Sequence, residues 1–175
     1  TGREDFITFG EAFLNAPPFE NAADKEVASF MGTEEKPGLN SMISFPLDFS
    51  IDRVFSQGKP TAYLGYRLNT IYNAGIYRNP ERLTTFIDNH DTRRFISSGT
   101  LAGLKQALFF QFTIPGIPVV YMGTEQGFQE SRASMFAGGW GSEGKDHFDQ
   151  HSEMYLYLQQ LAQMRKRNRV LTRGD

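Results

Sequence analysis

Glu11 and Asp91 each stand at the end of a short apolar run. Glu11 follows FITFG at residues 6–10, and Asp91 closes LTTFIDNHD at residues 83–91. Both runs read as strands, so both acids fall just past strand carboxyl ends, where parallel α/β folds gather their ligand-binding groups. One carboxyl that protonates a leaving oxygen and another that stabilises positive charge at a sugar carbon are the minimum equipment for glycosidic cleavage. A plainer alternative stays open on spacing alone. Glu11 could cap the loop after its strand and Asp91 could close an Asx-turn. His90 beside Asp91 adds an imidazole, which standing alone would read as a structural histidine.

The elements that must position these residues follow a strand-then-helix rhythm. Strands are expected at residues 6–10, 41–47, 83–88 and 117–122. Helices are expected at 24–31 with Gly32 as terminator, at 50–57, at 61–73, at 100–112 and at 152–167. Apolar stripes support three of them: Leu64, Leu68 and Ile71; Leu101, Leu104, Leu108 and Phe112; and Met154, Leu158 and Leu161. The run at 117–122 is almost continuously apolar, as strands covered on both faces are. Strands alternating with helices argue for a parallel sheet in an α/β domain. Pattern alone does not separate a small doubly wound sheet from part of a (β/α)8 barrel, whose repeat is also about 30–45 residues.

Composition narrows the classes of function. With 39% hydrophobic and 22% charged residues among 175, the chain can build one substantial core. A formal charge of −2 offers no basic stripe for nucleic acid, and no long apolar run offers a membrane span. The basic cluster Arg165, Lys166, Arg167 and Arg169 closes an expected helix, where it complements the helix dipole. No cysteine is present, which removes disulfides, thiolate catalysis and Cys-ligated zinc. The chain opens without Met and runs straight into a strand, so it reads as a piece of something longer.

The words around these residues are more specific than their spacing. FITFGEAF resembles the strand-five motif of the α-amylase family (glycoside hydrolase family 13), FIDNHDTRRF its strand-seven motif, and GIPVVYMGTEQGF its strand-eight motif. LNSMISFPLDFSIDRVFSQG resembles the strand-six region, SRASMFAGGW the loop after strand eight, and LQQLAQMRKRNRVLTRGD the last barrel helix and its exit. The resemblance covers nearly the whole chain in the family's order. It implies the C-terminal half of a TIM-type (β/α)8 barrel, strands five to eight with four parallel βα units, as one partial domain over residues 1–175.

Carried over by position, the resemblance implies Glu11 as proton donor and later base. It implies Asp91 as the second-line carboxylate that holds sugar hydroxyls, and His90 as a hydrogen-bond donor at the cleavage subsite. Asn89 would be structural, Arg94 would take a structural ion pair, and Arg93 departs from a Pro common in relatives. Gly116, Pro118 and Gly123 would be architectural, Tyr121 barrel core, and Glu125 a loop carboxylate tied to a neighbour. Trp140, the sole Trp, could stack on sugar or pack its loop onto the rim. An acid/base group working near neutral pH needs a raised pKa, for which partial burial and a second carboxylate are expected around Glu11. Asp91 is expected to stay ionised.

The family's nucleophile, an Asp in a Gly-x-Arg-x-Asp motif on strand four, does not occur in these residues. Asp48 and Asp88 are the nearby strand-end candidates, and neither stands in that motif. The reading is therefore a retaining hydrolase of α-glucans, represented by a chain inactive alone. Glycosyl transfer within the same family and a non-catalytic sugar-binding scaffold are the alternatives. No cofactor or metal is expected in this chain, including at Asp146–His151, where Asp149 or Ser152 should cap a helix; the resemblance leaves room for a structural calcium in the missing half. Open edges on the outer strands point to a homo-oligomer. A secreted or periplasmic setting is what the resemblance implies.

Overall fold

Four short strands and the helices between them appear in the computed structural model, which describes residues 7–172. β1 (Phe9–Gly10) precedes α1 (Ala22–Met31), and β2 (Ser41–Met42) precedes α2 (Phe45–Ile51), a π turn at Asp52–Ser56 and α3 (Ala62–Tyr72). β3 (Thr84–Thr85) precedes α4 (Leu101–Thr113), and β4 (Ile117–Pro118) precedes α5 (Glu153–Arg167) and α6 (Arg169–Thr172). Phe6, the first residue of the first expected strand, lies outside the described residues, as do the last three residues of the exit.

The strands are parallel and follow chain order. β1 pairs with β2 and β3 with β4, and a single parallel bridge from Ile43 to Thr84 links the two pairs. No reversal of strand order occurs among the described residues, so the doubly wound alternative finds no support. The regular strands are shorter than the apolar runs. At residues 41–47 the reason is chemical: Pro46 occupies the first turn of α2, where its missing N–H costs nothing and its fixed φ suits a helix. Pro118 likewise interrupts the ladder at β4. The β4 bonds to β3 come from the Ile117 and Val119 N–H groups, to the Leu83 and Thr85 carbonyls, each at 2.8 Å. Proline is tolerated there because β4 is an edge strand among the described residues.

Four of the helix readings hold with small shifts, whereas the helix expected at 50–57 begins at Phe45, inside the run expected as strand. Gly32 ends α1 with φ 70°, a conformation that favours glycine. Thr100 caps α4 by accepting from the Gly103 N–H, and Ser152 caps α5 by accepting from the Tyr155 N–H. Leu64, Ile71, Leu104, Leu108, Phe112, Met154, Leu158 and Leu161 are buried in one cluster, each worth roughly 1.5–3 kcal/mol by area removed from water. Leu101 departs from its stripe: it starts α4 and stays exposed. Arg165 turns away from its own helix end and donates to the Phe112, Ile114 and Gly116 carbonyls, closing the end of α4. Among the described residues no helix is long and apolar enough to cross a membrane.

A buried cluster of three polar side chains braces this frame. Arg67 on α3 pairs with Asp24 on α1, which also accepts from the Tyr77 hydroxyl at 3.0 Å. All three are buried.

Candidate active site

Glu11 is placed by the residue before it. A Cβ at Gly10 would come within 2.5 Å of Leu39 Cδ1 and 2.7 Å of Met42 Sδ, so a side chain here would have to displace the ends of both as β1 packs beside β2. Glu11 then leaves the strand end with its side chain exposed. His90 and Asp91 are placed by an Asx-turn. The Asn89 Oδ1 accepts from the Asp91 N–H at 2.9 Å and the Thr92 N–H at 2.8 Å, while Thr92 Oγ1 accepts from the Asn89 N–H. Asn89, not Asp91, therefore makes the turn, and Asp91 is left to face outward.

The turn brings Glu11, His90 and Asp91 together. One ligand atom from each lies within 4.8 Å of the others, and His90 Nε2 stands 3.3 Å from Asp91 Oδ2. A cavity of about 200 Å³ opens beside them, lined among others by Phe86, Tyr121 and Met122. Two carboxylates and an imidazole at this spacing could exchange a proton, hold sugar hydroxyls or chelate a divalent cation. The partial burial expected around Glu11 is not supplied by the described residues; the neighbouring carboxylate is.

Beneath the turn lies a buried network. Asp88 accepts from the Phe95 N–H at 3.2 Å and from the Thr124 hydroxyl at 3.0 Å, with the Arg94 guanidinium 3.9 Å away. Burial pushes the Asp88 carboxyl up from its ordinary range, and Arg94 opposes that shift. Arg94 also donates to the Glu130 and Met122 carbonyls and lies 4.1 Å from the centre of the Tyr121 ring. Asp88 and Arg94 thus clamp the end of β3 to the loop after β4. Both Asp88 oxygens are engaged within the protein, so it is not a free strand-end nucleophile candidate. Asp48 is corrected too: it sits buried in the first turn of α2, not at a strand end.

Arg93 donates to both Asp52 oxygens, at 3.0 and 2.9 Å. Gly123 turns at φ 88° against the Phe128 ring, and Gly116 passes close over Thr85. Tyr121 is half-buried under Arg94, and Val119, Val120 and Met122 are exposed, so the expected cover on both faces of residues 117–122 is not met by the described residues. The Glu125 carbonyl, instead of its carboxylate, accepts from the Ser152 hydroxyl. Trp140 is 69% exposed; its loop is packed down by Ala133, Met135 and Ser142 instead. Asp146 accepts from the Ala137 N–H and Asp149 from the His151 N–H, while the His147 ring contacts the Ser142 carbonyl. The sequence reading passed over Arg132, which holds Asp91 and the His90 carbonyl. Its only signal was a single Arg in the loop after strand eight.

A model of the α-amylase catalytic domain matches residues 5–143. The chain belongs to this family. A cyclomaltodextrin glucanotransferase of Thermoanaerobacterium thermosulfurigenes is 31% identical over 173 residues, covering 96% of this chain and 22% of that protein. A beta/alpha-amylase of Paenibacillus polymyxa is 28% identical over 148 residues, covering 78% of this chain and 12% of its own length. Among solved structures, the cyclomaltodextrin glucanotransferase CldA superposes with a TM-score of 0.74 at 28% identity, over 97% of this chain and 33% of that one. An α-amylase from Geobacillus thermoleovorans, solved with acarbose, gives 0.71 at 25% identity, over 99% and 36%. The chain therefore spans about a fifth to a third of these two glucanotransferases and the Geobacillus α-amylase, and a smaller part of the beta/alpha-amylase. In the α-amylase family the catalytic domain is a (β/α)8 barrel.

Proposed function

We propose that the chain is the strand-five to strand-eight half of such a barrel and carries part of a retaining glycosidase site for α-glucans. The observation that carries the proposal is the convergence of Glu11, His90 and Asp91 at the ends of β1 and β3, within 4.8 Å of one another. In this reading Glu11 protonates the leaving glycosidic oxygen and then takes a proton from the attacking water. His90 donates to a hydroxyl of the sugar being cleaved. Asp91 accepts from sugar hydroxyls and tightens its hold as the ring flattens toward an oxocarbenium ion.

Retention of configuration requires a nucleophile about 5–5.5 Å from the acid. The family's Gly-x-Arg-x-Asp motif is absent from these residues, so the chain alone completes no turnover. Exposed Ile7 and Phe9 at one end of the strand order and Val119 and Val120 at the other extend the proposal to self-association through open edges. The names of the relatives support a second reading for the same site, glycosyl transfer in place of hydrolysis. The test is release of reducing ends from a maltooligosaccharide by the chain beside Glu11→Gln. No release by either is expected. Release by the chain that Glu11→Gln abolishes would show that a carboxylate within these residues serves as nucleophile, against the incomplete site.

A further inference from the structure

The cluster after β1 and β3 joins an imidazole to two carboxylates at metal-binding distances. His90 Nε2 and Asp91 Oδ2 are 3.3 Å apart, and a Glu11 oxygen completes a set whose members all lie within 4.8 Å of one another. No metal is expected from sequence, where Glu11 stands in a different motif from His90 and Asp91; the fold brings the three together. Zinc binds imidazole nitrogen and carboxylate oxygen at about 2.0–2.2 Å, so the edges of its tetrahedron measure roughly 3.3–3.6 Å. The His90–Asp91 pair already spans one such edge. Glu11 is exposed, and rotation of its long side chain closes the remaining gap of at most about 1.5 Å. Among the described residues no other three such side chains lie this close.

The surroundings suit a cation. Arg132 donates to Asp91 Oδ1 and leaves Oδ2 to face His90; such outer hydrogen bonds orient ligating carboxylates. Two carboxylates outnumber the one guanidinium, so the local field favours positive charge. The cavity of about 200 Å³, lined by both Glu11 and His90, has room for a water as fourth ligand. The donor set also selects the ion. One nitrogen and two oxygens match zinc and its first-row neighbours, whereas calcium and magnesium take six or more oxygens.

We propose that Glu11, His90 and Asp91 form a site for a first-row divalent cation of the zinc type, and that the bound cation excludes sugar. The metal site stands on the geometry alone, while the exclusion of sugar rests on the glycosidase reading above. Zinc chloride is titrated calorimetrically into the chain, into Glu11→Gln and His90→Ala, and into a chain carrying both His147→Gln and His151→Gln. The parent should show saturable binding that either change in the cluster weakens at least about tenfold, and that the His147 and His151 changes leave intact. NMR of the histidine rings in the parent, which depends on no variant folding, should show zinc shifting His90 and sparing His147 and His151. Absence of saturable zinc binding, binding by His90→Ala equal to the parent's, or shifts confined to His147 and His151 would overturn the site. So would calcium chloride binding as tightly as zinc. Saturating zinc should then weaken maltotriose binding at least about tenfold, since both ligands need the same atoms. Equal maltotriose affinity with and without zinc overturns the exclusion. Absence of maltotriose binding in either condition contradicts the glycosidase reading and the exclusion, while the zinc titration decides the metal site by itself.

Discussion

Arg132 donates from Nη2 to the Asp91 carboxylate at 3.1 Å, and from Nε to the His90 carbonyl at 3.0 Å. The loop after β4 thereby grips both members of the turn after β3 with one side chain. Arg132 is largely exposed, so the pair adds little to folding, on the order of 0–1 kcal/mol. Its effect falls on orientation. Arg132→Ala is expected to leave the melting temperature within about 2 °C of the parent. The same change should weaken maltotriose binding by roughly three- to tenfold, as one hydrogen bond fixing a ligand group would. Arg132→Lys keeps the charge but loses the two-point hold, so it should recover binding only in part. A large loss of stability in Arg132→Ala would contradict this division of labour.

Arg94 has the opposite character. It is fully buried, and removing it strands Asp88 beneath the turn. Arg94→Ala should cost about 3–5 kcal/mol in denaturant unfolding, the usual consequence of leaving one buried partner alone. Arg94→Lys should recover little, because a single ammonium cannot reach the Met122 and Glu130 carbonyls and Thr124 together. An unfolding free energy within 1 kcal/mol of the parent, taken as a rough threshold for a mere surface pair, would contradict the role of Arg94 as a buried clamp.

Asp48 links stability to acidity. Burial, then Asp52 and Asp88, push its carboxyl well above the ordinary carboxylate range, with Arg93 opposing. The folded state therefore holds this proton where the unfolded chain has released it. The stabilisation is fully present below the ordinary carboxylate pKa and is lost as pH rises toward the folded value. Melting temperatures of Asp48→Asn and the parent should coincide near pH 4 and separate in favour of the variant toward pH 7. A gap independent of pH would contradict the burial argument.

Tyr72 sets the alkaline limit. Its hydroxyl donates to the Pro115 carbonyl, and burial pushes it up from 10.0 to about 12, with Arg165 opposing. Because the folded pKa is raised, the stabilisation is intact below about pH 10 and disappears as pH climbs through about 12. The melting-temperature advantage of the parent over Tyr72→Phe should hold up to the lower value and shrink above it. A constant advantage across that window would contradict the assignment.

The order of elements was legible because strand runs, helix stripes and caps are local. Ser152 caps as expected, Thr100 caps the start of α4 where the expected helix begins, and Gly10 before Glu11 marks a close approach that the motif already contained. At residues 41–47 an apolar run reads as strand throughout, and only Pro46, in the first turn of α2, betrays the helix start within it. The candidate site residues stand together because the motif words carried them. What was not legible depends on distant pairing. Arg67 with Asp24, and Arg132 with Asp91, join residues 43 and 41 positions apart, and nothing local distinguishes a buried arginine from a surface one. Asp48 looked like a strand-end acid for the same reason: its burial comes from packing, which composition does not reveal.

The central claim, a sugar site built from Glu11, His90 and Asp91, is tested most directly by titrating maltotriose into the isotopically labelled chain and mapping amide shifts. The account predicts saturable shifts centred on Glu11, His90 and Asp91 that Asp91→Ala removes. Saturable shifts confined to residues elsewhere, such as the Trp140 loop, or no shifts at all, would contradict it.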